Sequence, residues 1–225
     1  MASELFNLVD EKVAYKAKIA LSQITLKIER GEKIALIGPS GSGKTTLLYC
    51  LHEKNQIQNP NDESAFVHQD YALVPQLSVF HNVYIGRLDR NSVGANLRNL
   101  IRPQSNVRAE IESVLKDLDL VEQINQRVGT LSGGQQQRTA IARAVYRGGH
   151  LFLADEPVAS IDIQQAETVL NLIFGGTKTV IASLHAVNFA RQYAQRIIGL
   201  RQGRVLFDSP SEEVTNDMLN KLYHR

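Results

Sequence analysis

Tryptophan is absent from the 225 residues, methionine occurs twice and cysteine once, as Cys50. A lone cysteine excludes an internal disulfide and a cysteine-built metal site, and it fits a reducing compartment. An excess of one charge is also missing. The 25 Lys+Arg against 23 Asp+Glu leave +2, too balanced for bulk attraction to nucleic acid. No apolar run approaches the roughly 18 residues needed to cross a bilayer; the longest, Lys33–Ile37 and Leu151–Ala154, are strand-sized. The opening MASELFNLVDEK carries an early acid and no apolar stretch, so it does not read as a secretory signal. Repeats and low-complexity tracts are lacking too. What is present is a chain of ordinary globular composition, long enough to bury a core without staples. Its length fits one domain, or one domain with an inserted subdomain.

Two kinds of pattern alternate along it. Ile24, Leu26 and Ile28 fall on one face of a half-buried strand within Ile19–Ile28. Lys33–Ile37 is a continuous apolar strand of the kind buried on both faces of a parallel sheet. Ser64–His68, Leu151–Ala154, Thr179–Ala182, Ile197–Leu200 and Val205–Phe207 also read as strands, the last two as a hairpin turning at Arg201–Gly203. A helix is expected around Ile163–Phe174 and an amphipathic one over Ser211–Tyr223. Between about 71 and 147 the pattern is helical: Val107, Ile111, Val114, Leu115 and Leu118 share a face, and Ser132 suits the N-cap of a helix ending near Arg147. Strands alternating with helices at both ends imply an α/β fold with a mainly parallel sheet. The expected division is a core of about 1–70 and 148–225, with a helical subdomain of about 71–147.

Between the strand Lys33–Ile37 and the next helix stands Gly38-Pro39-Ser40-Gly41-Ser42-Gly43-Lys44-Thr45-Thr46. This is G-x4-G-K-[ST] in its strand–helix context. Glycines let backbone N–H groups curl toward phosphates, and the helix N-terminus adds positive potential. Lys44 is placed to reach the β- and γ-phosphates, and the Thr45 hydroxyl to ligate Mg²⁺. Leu151–Ala154 ends in Asp155 and Glu156. An acid at the carboxyl end of a parallel strand faces the ligand crevice. Asp155 therefore belongs to the metal shell, and Glu156 polarises the attacking water.

A second anion-binding glycine pair follows, in Leu131-Ser132-Gly133-Gly134-Gln135. A serine and two glycines opening a long helix expose N–H groups, yet one nucleotide does not need two such sites from one chain. The stretch resembles the LSGGQ signature of the ABC-type ATPases. The resemblance implies the P-loop NTPase (RecA-like) fold, with a reduced N-terminal antiparallel part and an inserted helical subdomain. It also implies that Ser132, Gly133, Gly134 and Gln135 of one subunit close over the ATP held by a second copy. Further residues match in order. Gln69 stands where the family has its metal-sensing glutamine. Asp162, in Ala159-Ser160-Ile161-Asp162, lies in the segment crossing the dimer interface. His185 stands where a histidine contacts the γ-phosphate. Tyr15, 23 residues before Gly38, stands where an aromatic stacks on adenine.

A finer resemblance, to the phosphonate- and phosphite-importer ATP-binding subunits, rests on Tyr71–Val79, Asn82-Val83, Ile85-Gly86, Arg127-Val128, Glu156–Ser160, Leu184-His185, Leu200–Gly203 and Leu222-Tyr223. It implies solute import, powered at the cytoplasmic face of the membrane by a peripheral ATPase homodimer. Integral membrane permease subunits and a periplasmic or extracellular solute-binding protein complete the assembly. The stroke would pass through the surface near residues 69–85, and no nucleic acid takes part. Import of another small solute, such as amino acids, and a non-transport ABC ATPase stay open. One departure stands out: only residues 47–68 separate the phosphate loop from Gln69. Asn55–Glu63 reads as a polar linker, so the antiparallel part around Tyr15 is expected to be small.

Overall fold

Residues 3–15, 18–59 and 63–224 are described by the computed structural model. The chain forms two compact units. The first comprises Met1–Phe66, Gly149–Glu156 and Phe174–Arg225; the second comprises Val67–Gly148 and Pro157–Ile173.

The first unit is built on β3 (Lys33–Ile37), whose five residues are all buried. Continuous apolar sequence suits a strand covered on both faces. It pairs in parallel with β6 (Thr179–Ser183) on one side and β7 (Arg196–Arg201) on the other. β5 (Leu151–Asp155) extends the sheet in parallel beyond β6, with β4 (Ser64–Val67) next to it. β8 (Arg204–Pro210) closes the other edge as an antiparallel hairpin with β7. Gln202 and Gly203 both carry positive φ at that turn, the pairing that matches strand twist in two-residue hairpins.

A separate two-stranded antiparallel sheet joins β1 (Glu4–Tyr15) to β2 (Lys18–Glu29). The antiparallel part thus has two strands among the described residues, though each is twelve residues long. Gln23 has φ 57°, and the register shifts there. The bulge lets both Leu21 and Ile24 turn inward despite their odd spacing. They join Phe6, Leu8, Leu26, Ile28, Ile34 and Leu36 in one core. Each such side chain contributes about 1.5–3 kcal/mol by leaving water.

α1 (Lys44–Gln58) also enters that core, through Leu47, Leu48 and Leu51. The helix is longer than its pattern indicates. Asn55–Gln58, expected to begin a linker, forms its last turn, with Asn55 buried. Polar residues here cover a solvated helix end. Pro60, Asn61 and Asp62 of that expected linker lie outside the described residues. The carboxyl-terminal helix is shorter than expected. A 3-10 turn at Ser211–Glu213 precedes the last helix, Asn216–Tyr223, because the Thr215 side chain caps the Met218 amide. Arg196 pairs with Asp208 at 2.6 Å and Glu32 at 2.9 Å, and its pKa rises chiefly through the Asp208 bond.

The second unit is helical: α2 (Val79–Tyr84), α3 (Val93–Ile101), α4 (Ser105–Lys116), α5 (Gly133–Arg147) and α6 (Ile163–Phe174). Phe80, Val83 and Tyr84 of α2 are buried, as are Ile111 and Leu115 of α4 and Ile141 and Ala144 of α5. Asn82 is fully buried; it accepts the Val74 amide at 2.8 Å and donates to the Val74 carbonyl at 3.0 Å, fixing the loop ahead of α2. This unit exceeds the expected block 71–147, since 157–173 joins it. The Ser160 amide donates to Gln137 Oε1 of α5 at 2.9 Å, and Arg138 of α5 bonds Gln165 of α6.

Candidate functional site

Chain direction places the chemistry. β3 runs straight into the glycine loop, and α1 begins at Lys44. Gly38 has φ 148°, and a Cβ there would lie 2.1 Å from the Leu200 carbonyl oxygen. Gly43 has φ 107°, and its Cβ would lie 2.7 Å from Leu21 Cδ2. Both positions require glycine, through backbone sign and close approach together. Ser42 is buried, and its Oγ has no hydrogen-bond partner among the described residues. Buried hydroxyls are normally satisfied, so this orphan marks a loop shaped by something other than packing.

Lys44 is also buried. Its Nζ donates to the carbonyls of Gly38 at 2.8 Å and Pro39 at 3.2 Å. Burial lowers its pKa from the ordinary lysine value, while Glu156 and then Asp155 pull it back up. A cation in this loop, facing two carboxylates, suits a ligand that brings both phosphate and a divalent cation.

Asp155 ends β5 and is 2% exposed. Its Oδ2 accepts the Thr45 hydroxyl at 2.7 Å, and its Oδ1 accepts the Ser183 hydroxyl at 2.6 Å. The Ser183 oxygen in turn accepts the Glu156 amide at 2.8 Å. That bond helps hold Glu156 at φ 51°, a costly conformation for a residue with a side chain. Glu156 Oε1 lies 2.5 Å from His185 Nε2. Lys44, Thr45, Asp155, Glu156 and His185 are thus brought together. Ser183 belongs with them and was not singled out by the sequence. Its only local signal is a hydroxyl at the end of an apolar strand.

Thr45 and Asp155 form an all-oxygen donor pair. Mg²⁺ takes few protein carboxylates and completes its shell with water and substrate phosphate, so these residues fit that ion. No cluster of three or more His, Cys, Asp or Glu suited to a metal exists among the described residues.

The remaining predicted residues, Tyr15 apart, belong to the second unit. Gln69 is an exposed turn residue of the second unit. Ser132 caps α5 in a reciprocal box: its Oγ accepts the Gln135 amide at 3.3 Å, and its amide donates to Gln135 Oε1 at 3.0 Å. A Cβ on Gly134 would meet the Ser160 carbonyl at 3.0 Å, whereas one on Gly133 would meet nothing within 4 Å. Packing explains Gly134 but not Gly133, whose bare backbone opens the helix to solvent. Asp162 caps α6 by accepting the Gln165 amide at 3.0 Å. Tyr15 closes β1, and the stacking expected of it falls on a side chain outside the described residues.

A parallel sheet, a glycine loop opening a helix, and an acid-tipped strand beside the loop define a P-loop ATPase. Residues 21–159 match the ABC transporter family, and the chain belongs to that family. It is 36% identical over 223 residues to the phosphonates import ATP-binding protein PhnC of Halobacterium salinarum, covering 91% of this chain and 78% of that protein. Identity to phosphonates import ATP-binding protein PhnC 1 of Pseudomonas syringae pv. tomato is 39% over 229 residues, covering 91% and 86%. A dimeric ATP-binding cassette solved in a post-hydrolysis state with ADP and Pi matches with a TM-score of 0.73 and 28% identity, over 94% of this chain and 99% of that one. The protein is an ATPase of the ABC type.

Proposed function

We propose that this chain is the ATP-hydrolysing subunit of an importer for phosphonate, phosphite or a related phosphorus compound. The observation that carries the solute class is the likeness to phosphonate-import subunits over more than nine-tenths of the chain. The nucleotide site itself does not touch a transported solute. In this reading two copies pair, as in the dimeric cassette, beneath integral membrane permease subunits at the cytoplasmic face. A periplasmic or extracellular binding protein delivers the solute. Among the described residues no helix is long and apolar enough to cross a membrane, so transport requires such partners. Val93, Leu97 and Ile101 of α3 are exposed at a spacing of four, an apolar stripe that supports a protein partner on the helical unit.

Each residue has a role in turnover. The 38–46 loop wraps the phosphates, with Lys44 countering their charge. Thr45 and Asp155 would hold Mg²⁺, with Gln69 sensing it; when bound, that ion offsets charge on the β- and γ-oxygens. Glu156 takes the proton of the attacking water, and His185 orients Glu156 and meets the γ-phosphate. Ser132, Gly133, Gly134 and Gln135 of the second copy cover the nucleotide, and Asp162 lies at that junction. ATP closes the dimer only by binding the closed state better than the open one. The test is reconstitution with the permease pair in vesicles. ATPase stimulated by phosphonate-loaded binding protein is the expected result. Stimulation by another solute, and none by phosphonates, would overturn the solute assignment.

A further inference from the structure

Within the second unit, Tyr71 and Ala72 both occupy left-handed backbone, with φ 63° and 44°. Neither is glycine, so both conformations are strained. Arg143 of α5 holds them: one guanidinium nitrogen donates to the Tyr71 carbonyl at 2.8 Å and another to the Ala72 carbonyl at 2.6 Å. A rigid fork on successive carbonyls fixes two peptide planes at once. The strained turn carries the Tyr71 hydroxyl out to Ser160, where it donates to Oγ at 2.9 Å. Ser160 lies four residues after Glu156 in the chain, and α5 grips it as well, through Gln137 Oε1 on its amide at 2.9 Å.

The contact has little to offer stability. Ser160 is exposed and Tyr71 half-buried, and a bond between solvated hydroxyls exchanges one water-like partner for another. A turn selected for stability alone would place glycine at 71 or 72. Strain retained beside a functional segment points to a mechanical role.

We propose that Tyr71 and Ser160 are positioning residues for hydrolysis. Their hydroxyl pair, braced by Arg143 and Gln137 on the signature helix, makes the segment after Gln69 and the segment after Glu156 change arrangement together. A partner acting on the first thereby resets the second. The proposal rests on the ATPase roles given above to Gln69 and Glu156.

Tyr71→Phe and Ser160→Ala each delete one hydroxyl and leave the turn, the ring and the backbone. In the full-length chain, each is expected to lower kcat about 3- to 10-fold, the scale of one hydrogen bond. KM for ATP and the thermal midpoint should stay unchanged. The double variant should be no slower than the slower single variant. Hydrogen exchange supplies a readout independent of turnover. Ser160→Ala should speed exchange in 69–73, and Tyr71→Phe should speed it in 157–162. Additive kcat losses, or exchange changes confined to the mutated segment, would overturn the proposal. A Glu156→Gln variant that hydrolyses ATP at the normal rate would instead defeat the underlying catalytic reading, whatever the exchange experiment shows.

Discussion

The Ser183 hydroxyl donates to Asp155 Oδ1 at 2.6 Å while accepting the Glu156 amide at 2.8 Å. One buried side chain thus sets both acids at the end of β5. Removing it leaves Asp155 short of a charge-assisted bond, the kind worth about 1.5–3 kcal/mol. Ser183→Ala is expected to cut the ATPase rate about tenfold. Steady-state phosphate release measures it, and an unchanged rate would deny Ser183 this role.

Glu156→Gln keeps the shape of the carboxylate and removes its basicity. Hydrolysis should fall by roughly 10²–10⁴-fold, the usual worth of a positioned base. ATP binding should survive, so an ATP-bound dimer should accumulate. Size-exclusion chromatography with and without ATP reads the second effect; a variant that stays monomeric in ATP contradicts the dimer closure assigned above.

Lys44→Ala removes the cation folded over the phosphate loop. Loss of ATP binding or of turnover is expected, with the fold intact by circular dichroism. Filter binding showing native affinity, together with a native rate, would remove Lys44 from the site.

Gly38→Ala should disturb the loop through geometry alone. The new methyl would lie 2.1 Å from the Leu200 carbonyl oxygen, at a positive φ. Strain of this kind costs about 1–3 kcal/mol before the clash is relieved. A lowered thermal midpoint and weaker ATP binding are expected together. Normal behaviour in both would show that the backbone tolerates a side chain there.

Lys178 sits over the Phe152 ring at 4.7 Å, and burial followed by the charge of Lys33 lowers its pKa from 10.5 to about 8. Between those values the unfolded chain holds a proton that the folded chain has released. Folding stability therefore rises with pH across that window, and it is lost as pH falls through about 8. Lys178→Met should raise the thermal midpoint at pH 7, with the advantage over the native chain shrinking as pH approaches 10. A constant advantage across that range would show that lysine charge is not the cause.

The sequence announced what chain neighbours determine. The glycine loop, the acid-tipped strand and the Ser132 cap each depend on residues within a few positions, so spacing exposed them. Ser183 and Arg143 stayed hidden because their partners are 28 and 72 residues away, and neither belongs to a motif with its partner. β1 was obscured in another way. Its register shifts near Asp10, at φ 51°, so apolar residues do not keep one parity along it. Asn55–Gln58 resembled a linker because a solvated helix end and a loop share the same polar composition. Gln69 was legible as a position in the chain, whereas an exposed turn carries no sign of the sensing role proposed for it.

Neither unit is a continuous stretch of chain. The backbone passes between them at 66–67, 148–149, 156–157 and 173–174. No single cut therefore releases a complete half, and expressing 67–148 alone would leave out α6 and the Ser160 segment that α5 holds. Isolating the helical unit would require a permuted chain that splices 157–173 to it. Exchanging the helical unit for another would take two coordinated replacements rather than one, and one of the four crossings falls directly after Glu156.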